Sequence, residues 1–289
     1  MQILLRMSKK SCNFVPENGF KSMKRTISIL LVSVLTVVYA VPAFGWGQEG
    51  HRIVAQIAYD NLTKKARKQV DKLLGDHGMI YYANWADELK SDNIYPQSIK
   101  DGWHFQDFNP GMSDSLVADA LTHYPKEGGN LYRVLDSLEL EMAAERVSAI
   151  NAVHVLRFLT HLHADRYCPM HMARMDDKGG NLVKVKWFGK ETNLHNVWDT
   201  RLIESQGYSY TEYAAMIQRE YKDMRKEVEM MTDEQLLVES YHLTQAIYQY
   251  QEIWNGNTYQ YIYTWRQPME KQLYIAGLRL AQVLNRLFK

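Results

Sequence analysis

The sequence has little cysteine. Of its 289 residues, only Cys12 and Cys168 are cysteines, and Cys12 falls in a segment that we expect to be removed. The mature chain would then keep one thiol and no internal disulfide, so its stability must come from a packed core or from bound metal ions. The thiol of Cys168, which lies beside Pro169, could be a nucleophile. A small buried side chain is the commoner role for a lone cysteine.

The net charge is also close to zero, since the sequence has 34 Lys and Arg and 33 Asp and Glu. Residues 1–45 hold six of the basic side chains and one acid, Glu17. Removing them leaves 28 basic and 32 acidic side chains, a net charge of −4 for residues 46–289. Proteins that hold polyanions through a broad basic surface have the opposite balance. All ten histidines follow residue 50, which is the first functional clue.

Long hydrophobic runs are missing, because the apolar run at 27–41 is short for a membrane span. It follows the basic Met23-Lys24-Arg25 and precedes the small residues of Ala43-Phe44-Gly45. This order is typical of a secretory signal peptide that is cut before Trp46. A membrane anchor is the alternative. A lipoprotein is disfavoured, because no cysteine lies at the cleavage point.

We therefore predict a leader at residues 1–45 and a single catalytic domain at residues 46–289. The signal peptide would span residues 23–45. Residues 1–22 would precede the true start codon at Met23 and would not be translated. The mature protein would be exported to the periplasm or secreted, with no membrane span after processing.

Strand signals are scarce and are limited to residues 182–188. Apolar residues instead recur at the 3.6-residue spacing of amphipathic helices. The segments with this pattern are 51–62, 64–74, 131–147, 149–167, 211–231, 233–254 and 268–288. No repeat or flexible linker divides the mature chain, so we expect one mainly α domain, with room for a small β-hairpin near 182–189.

Two His-x-x-x-Asp pairs are the strongest chemical signal. His161 and Asp165 lie in one predicted helix, and His195 and Asp199 repeat the spacing. Four residues make about one helical turn, so each pair places an imidazole and a carboxylate on one face. A single pair is also typical of a helix-surface hydrogen bond, but two pairs with His171 between them favour metal binding.

Further ligand-type side chains lie upstream among aromatic residues that can exclude water. The candidate set comprises five histidines and three aspartates: His51, Asp87, His104, His161, Asp165, His171, His195 and Asp199. Nitrogen and oxygen ligands without thiolate suit catalytic zinc better than structural zinc. Eight side chains are too many for one ion and about right for two or three. The amine and carbonyl of Trp46, freed by signal cleavage, would supply a ninth ligand.

The motifs around these residues occur in a characteristic order. They are Trp46-Gly47-Gln48-Glu49-Gly50-His51, Trp85-Ala86-Asp87, Trp103-His104-Phe105-Gln106-Asp107, Thr160-His161-Leu162-His163-Ala164-Asp165, Pro169-Met170-His171, Asp177-Lys178-Gly179-Gly180-Asn181 and Asn193-Leu194-His195-Asn196-Val197-Trp198-Asp199. The sequence resembles the secreted fungal and plant single-strand-specific, or type I bifunctional, nucleases, as a bacterial-type member. That resemblance implies the helical fold shared with zinc-dependent phospholipase C and three zinc ions.

The resemblance also implies how the ligands divide. One zinc would be held by Asp87, His104, His161 and Asp165. Asp165 would bridge to a second zinc bound by Trp46 and His51. The third zinc would belong to His171, His195 and Asp199.

The implied reaction is hydrolysis of phosphodiester bonds in single-stranded DNA and RNA to 5′-phosphorylated products, together with 3′-nucleotidase activity. Asp87 and Asp165 would be catalytic through the metals, and Lys90 would neutralise transition-state charge, although on spacing alone it could equally be a solvated helix lysine. The aromatic ring of Phe105 would stack on a base, which requires an unpaired nucleotide. Asp107 would accept hydrogen bonds from the base edge, and Asn181 would be a polar contact near the substrate. No obligate protein partner is implied.

Five histidines stay outside the ligand set. His163 is expected to point away from the His161 face, and His77, His123 and His242 lie outside any ligand spacing. We predict that these four lie on the surface or in loops. His154 shares the His161 face and is expected to pack behind the ligands.

Two other functions stay open. A zinc phospholipase C resembles this family in fold, but that group typically ends its ligand list with Glu where Asp199 stands here. A non-enzymatic zinc-binding protein of the cell envelope would close its coordination shells. The mature chain has a single cysteine, whereas the fungal members are disulfide-bonded. Because of this difference, the resemblance predicts the metal ligands more directly than the preferred substrate.

Overall fold

The first two helices follow the sequence pattern. The computed structural model describes residues 46–89, 102–144 and 148–289; the predicted leader and Lys90 lie outside them. Helix α1 spans Gln48–Asp60 and α2 spans Lys64–Leu74. Thr63 caps α2 because its side-chain oxygen accepts a hydrogen bond from the backbone of Ala66 at 3.2 Å.

Further helices make the described chain mainly α, as predicted. They are α3 (Gly78–Tyr81), α4 (Trp85–Glu88), α5 (Asp114–Asp119), α6 (Leu131–Ala143), α7 (Ala149–Asp165), α8 (Leu194–Asn196), α9 (Leu202–Glu204), α10 (Tyr210–Glu220), α11 (Arg225–Met230), α12 (Asp233–Ile253) and α13 (Thr258–Leu287). Short 3₁₀ turns at Gly75–His77, Tyr82–Asn84, Pro169–Met172 and Lys222–Met224, and a π-helical turn at Val197–Arg201, connect several of them. Among the described residues, no helix is both long and apolar enough to span a membrane.

An antiparallel hairpin joins β1 (Lys184–Trp187) to β2 (Lys190–Asn193). Lys184 is opposite Asn193 and Trp187 is opposite Lys190. The predicted strand therefore corresponds to β1, but the hairpin extends beyond the expected boundary near 189. The bounds of the second strand could not be predicted because Lys-Glu-Thr-Asn has no apolar alternation.

Two predicted helices have different bounds in the structure. The segment 211–231 is divided by the 3₁₀ turn between α10 and α11. Helix α13 begins at Thr258 and runs through Pro268, where the prediction placed its start. Proline favours the first helical turn, but here it lies inside a helix whose start is capped by Asn257, which accepts from the backbone of Gln260 at 3.2 Å.

The last helix packs closely against the first. A Cβ atom on Gly277 of α13 would lie 2.5 Å from the Cβ of Ile57 on α1, which is closer than carbon atoms approach. Glycine at this position therefore lets the two backbones meet. Since α1 also carries His51, this contact sets the position of one wall of the site described next.

Candidate metal centre

Helix α7 delivers two candidate ligands to the interior. His161 and Asp165 are completely buried in its last turns, as are Leu159 and Leu162 beside them in the helix. The Nδ1 atom of His161 lies 2.7 Å from the carbonyl oxygen of Ala83. Because a carbonyl only accepts, Nδ1 carries the hydrogen and Nε2 presents a lone pair, as metal-binding histidines require.

Four side chains converge on a common point. His104 Nδ1 lies 3.1 Å from His161 Nε2 and 3.0 Å from Asp165 Oδ2. His161 Nε2 lies 3.2 Å from the same carboxylate oxygen. Asp87 Oδ1 lies 3.7 Å from His104 Nδ1 and 3.6 Å from His161 Nε2. Ligands about 2.0–2.1 Å from a tetrahedral zinc would lie about 3.3–3.4 Å apart, so the spacing fits one ion.

The second oxygen of Asp165 faces His51. His51 Nε2 lies 3.3 Å from Asp165 Oδ1, and the His51 ring stacks on His161 with centroids 3.8 Å apart. Asp165 Oδ1 and both ring nitrogens of His51 are buried without a hydrogen-bond partner. Such atoms are rare unless they have another partner, and a shared cation would satisfy them. The two oxygens of Asp165 therefore face two adjacent candidate sites.

Trp46 is buried at the start of the described chain, just before α1. The backbone N–H of Gly47 donates to the carbonyl oxygen of Asp199 at 2.7 Å. This bond ties the segment before His51 to the residue that ends the predicted ligand set.

A second group of ligand-type atoms lies around Asp199. His195 Nε2 lies 2.8 Å from Asp199 Oδ2, and the His171 and His195 ring centroids are 5.4 Å apart. His171 Nδ1 donates to the carbonyl of His104 at 2.6 Å, and His195 Nδ1 donates to that of Gly179 at 2.6 Å. In both rings Nε2 is again the nitrogen with the lone pair.

Cys168 orients Asp199 from the opposite side. Its buried Sγ donates to Asp199 Oδ1 at 3.2 Å. Burial, followed by the charge of Asp199, raises the pKa of the Cys168 thiol well above its usual value. Although Cys168, His171 and Asp199 offer atoms within 4.8 Å of one another, a protonated thiol is a poor ligand, so we assign Cys168 to support. The nucleophile alternative is disfavoured for the same reason.

A glycine loop supports His195. Lys178, Gly179 and Gly180 have consecutive φ angles of +55°, +65° and +82°. A Cβ on Gly179 would lie 2.8 Å from the carbonyl oxygen of Met170 and 3.3 Å from His195 Nδ1. Asp177 Oδ1 fixes the loop by accepting from the backbone of Gly180 at 2.6 Å. Only glycine fits both the left-handed backbone and the close approach to the ring.

The electrostatics favour ligation. Burial opposes ionisation of Asp165, but His161, His171 and His51 together hold its pKa well below the usual value. Burial lowers the pKa of His51 and of His171. Burial also acts against the charged form of His161, but Asp165 and Asp87 raise its pKa. An ionised carboxylate among imidazoles is the arrangement a divalent cation stabilises.

The predicted substrate-binding residues lie beside this centre. Phe105 directly follows His104 and is partly exposed, whereas Asp107 is 8% exposed and has a buried Oδ1 without a hydrogen-bond partner. Burial raises the pKa of Asp107 to about 7, an effect that His195 opposes and Asp177 reinforces. Asn181 is partly exposed and donates its side-chain amide to the carbonyl of Lys178 at 2.9 Å.

The remaining histidines divide as expected except for one. His163 was expected at the surface but is 1% exposed, and its Nε2 lies 3.1 Å from Glu139 Oε1. That prediction is wrong because α6 covers the face opposite His161. His77, His123 and His242 are exposed, and the ring of His154 stacks on Trp85 at 5.5 Å, as predicted.

The fold and the site define a mainly helical protein with clustered, buried His and Asp ligands. The family model described as S1/P1 Nuclease matches residues 46–289, so the chain belongs to the S1/P1 nuclease family. The predicted membership of this nuclease family is thus confirmed, whereas the bacterial type stays a prediction. As a member of this family, the chain is a nuclease, a hydrolase of phosphodiester bonds, and it is metal-dependent with candidate His and Asp binding groups.

Curated relatives agree with this assignment. Endonuclease 2 of Arabidopsis thaliana is 27% identical over 90% of this chain and 97% of its own length. Nuclease S1 of Aspergillus oryzae is 28% identical over 63% of each chain. Nuclease P1 of Penicillium citrinum is 28% identical over 54% of this chain and 57% of its own length. The nuclease names of these relatives favour a nuclease over the phospholipase C alternative.

Proposed function

We propose that the chain is an exported, zinc-dependent endonuclease that cuts single-stranded DNA and RNA to leave 5′-phosphorylated products and also hydrolyses 3′-nucleotides. The observation that carries this proposal is the position of Asp165, whose Oδ1 lies 3.3 Å from His51 Nε2 while its Oδ2 lies 3.0 Å from His104 Nδ1 and 3.2 Å from His161 Nε2. A carboxylate in this position suits a bridged pair of ions. Residues 46–289 would form the catalytic domain, and residues 1–45 the export leader.

Three zinc ions would account for the ligand atoms. Asp87, His104, His161 and Asp165 would hold the first; Asp165, His51 and the main chain of Trp46 the second; His171, His195 and Asp199 the third. Bound zinc lowers the pKa of a water molecule to about 7 and polarises phosphoryl oxygens. The side chain of Asp87 is 24% exposed, whereas those of His161 and Asp165 are 0% exposed, so substrate would approach from the side of Asp87.

The other catalytic and binding roles follow from position. Lys90, two residues after Glu88 at the end of α4, would neutralise charge on the reacting phosphate. Phe105 would stack on a base, a contact that is worth about 1–3 kcal/mol and requires that the base be unpaired. The vacant acceptor of Asp107 would take a donor from the base edge, and Asn181 would contact the substrate from the glycine loop.

The test joins metal analysis to nuclease assays on processed protein that begins at Trp46. We expect three zinc ions per chain and faster cleavage of single-stranded than of duplex DNA. Full zinc content without hydrolysis of any phosphate ester would overturn the enzyme assignment. Hydrolysis of phosphatidylcholine without cleavage of single-stranded DNA would overturn the substrate.

A matched protein that keeps one residue before Trp46 tests the terminal ligand. In the extended protein the terminal amine belongs to the extra residue, so Trp46 can no longer offer an amine to the proposed metal. Zinc content and the rate of hydrolysis should therefore fall. Full zinc and an unchanged rate in the extended protein would remove Trp46 from the ligand set.

A further inference from the structure

Helix α12 has a row of buried polar side chains that the proposed chemistry does not use. Ser240, Thr244 and Tyr248 follow one another at intervals of four residues, so they lie along one face of the helix. These three side chains belong to residues that are only 2%, 0% and 3% exposed. A buried hydroxyl group costs free energy unless it is hydrogen-bonded, whereas an apolar side chain has no such requirement. The hydrogen-bond partners of the three hydroxyls therefore indicate the role of this face.

Ser240 joins the row to the last helix. Its hydroxyl donates to the side-chain oxygen of Gln272 at 3.2 Å, and Gln272 is itself buried in α13. Because both side chains belong to long helices, this bond ties α12 to another regular element rather than to a loop. The next two side chains of the row are thus held on a rigid part of the fold.

Thr244 contacts the segment that carries His171. Its Oγ1 lies 3.1 Å from the carbonyl oxygen of Pro169 and 3.0 Å from that of Ser240, so its one hydrogen is shared between two acceptors. Pro169 begins the 3₁₀ turn Pro169–Met172, and α12 packs against this turn. Since His171 is the third residue of the turn, a bond at Pro169 limits the movement of the His171 backbone relative to α12.

Tyr248 contacts the glycine loop that supports His195. Its hydroxyl donates to Asp177 Oδ1 at 3.0 Å, and the same oxygen accepts from the backbone of Gly180 at 2.6 Å. The guanidinium carbon of Arg174 lies 4.1 Å from the centre of the Tyr248 ring. Burial, followed by the charge of Asp177, raises the pKa of Tyr248, so its hydroxyl stays protonated and donates. Tyr248 therefore holds the loop through two of its side chains.

The loop connects this contact to the His195 ring. The Gly179 N–H donates to the Arg174 carbonyl at 2.9 Å, and the Gly179 carbonyl accepts from His195 Nδ1 at 2.6 Å. Gly179 thus lies between the residues that Tyr248 holds and the imidazole. A change at Tyr248 would reach His195 through this loop.

We propose that Thr244 and Tyr248 are positioning residues for the third zinc site, because from one face of α12 they fix the separation of its two imidazoles. The proposal rests on the proposed function, which assigns this site to His171, His195 and Asp199. The two ring centroids are 5.4 Å apart, and the rings are held through two different segments that α12 contacts. Groups that orient metal ligands typically change metal affinity by about 10–100-fold. The two hydroxyls should therefore affect one zinc ion and leave the bridged pair unchanged.

The first test measures zinc affinity by titrating metal-free protein with zinc against a competing chelator. Tyr248→Phe removes only the hydroxyl and keeps the ring against Arg174. We expect the affinity for one zinc ion to fall about tenfold, while the affinities for the others stay unchanged. At saturating zinc, kcat on single-stranded DNA should recover most of its wild-type value, because Tyr248 acts through the affinity of the site.

The second test separates the hydroxyl of Thr244 from its volume. Thr244→Val keeps the shape of the side chain but removes the donor to the Pro169 carbonyl. It should lower the affinity for the same zinc ion about threefold to tenfold. Thr244→Ser keeps the hydroxyl and should retain the wild-type affinity. Equal losses from the two variants would overturn the role of the Thr244 hydrogen bond.

The matched control is Tyr213→Phe. The Tyr213 hydroxyl donates to buried Glu270 at 2.9 Å, so this variant also removes a buried bond between a tyrosine and a carboxylate. Tyr213 lies in α10 and Glu270 in α13, neither of which carries a proposed zinc ligand. The Tm of this variant should fall about as much as that of Tyr248→Phe, whereas its zinc affinities should equal those of the wild type.

A double variant tests whether Tyr248 acts through Asp177. Asp177→Ala removes the shared acceptor, so adding Tyr248→Phe to it should weaken zinc binding little further. Losses that add would overturn the path through the loop. Unchanged zinc affinity in Tyr248→Phe, or equal weakening of every zinc ion, would overturn its positioning role. Wild-type protein that binds three zinc ions but hydrolyses no phosphate ester would instead overturn the proposed function, and the zinc titrations would still decide the positioning roles.

Discussion

The two His-x-x-x-Asp pairs share a spacing but are built differently. His161 and Asp165 lie in regular helix, with Nε2 and Oδ2 3.2 Å apart, whereas His195 and Asp199 span α8 and the π-helical turn, with Nε2 and Oδ2 2.8 Å apart. Helical periodicity aligns the first pair, and the carbonyl of Ala83 on a neighbouring segment orients its imidazole. The second depends on Gly179, whose carbonyl orients the imidazole. Equal spacing in sequence thus brings the ligands together, while their supports differ.

The largest effect should come from the pair in regular helix. Asp165→Ala removes the carboxylate that faces both His51 and the His104–His161 group, so we expect kcat to fall by about three orders of magnitude or more. Zinc content should fall by more than one ion per chain. Asp119→Ala is the control, because Asp119 pairs with exposed His123 at the same spacing, 2.7 Å apart. Near-normal hydrolysis by the Asp165→Ala protein would show that the bridging role is misassigned.

Asp199→Ala should have a smaller effect, because Asp199 faces only the His171–His195 group. We expect the loss of about one zinc per chain and a fall in kcat of about two to three orders of magnitude. Metal analysis of both aspartate variants measures the contrast directly. Equal zinc losses from the two variants would contradict the assignment of Asp165 to two ions.

Gly179→Ala tests the glycine loop, which contacts the imidazole of the second pair and has no counterpart at the first. The new methyl group would meet the Met170 carbonyl and push on His195, so we expect activity to fall about 10–100-fold through weaker metal binding. Gly207→Ala is matched, since Gly207 has a φ of +71° but nothing within 4 Å of the added Cβ. It should cost only the backbone strain. Similar zinc affinity in both variants would mean that the loop does not position His195.

Asp107, near the second pair, should affect the pH dependence of stability rather than the chemistry. Its pKa is raised to about 7, so between about pH 4 and pH 7 the folded protein retains a proton that the unfolded chain has released. Stability of metal-free protein should therefore fall as pH rises through this window. Asp107→Asn should remove up to about 4 kcal/mol of that fall. Urea unfolding at several pH values measures it, and parallel pH profiles for both proteins would contradict the shift.

The sequence was sufficient to predict most helices and the meeting of the ligands, because both follow from residue spacing. The backbone carbonyls of Ala83, His104 and Gly179, which orient His161, His171 and His195, could not be predicted, since every residue has a carbonyl. The thiol contact of Cys168 with Asp199 was missed because it joins residues far apart in sequence. The burial of His163 depended in the same way on α6, a neighbour that helical periodicity alone does not reveal.

The contact of Gly277 with Ile57 has a consequence for the order of assembly. Helix α1 presents His51 early in the chain, but the helix that packs against it, α13, is the last one described. A growing chain therefore lacks this support for His51 until residues 258–287 have emerged. A fragment that stops before residue 258 should therefore hold His51 less firmly, and with it the proposed bridged pair.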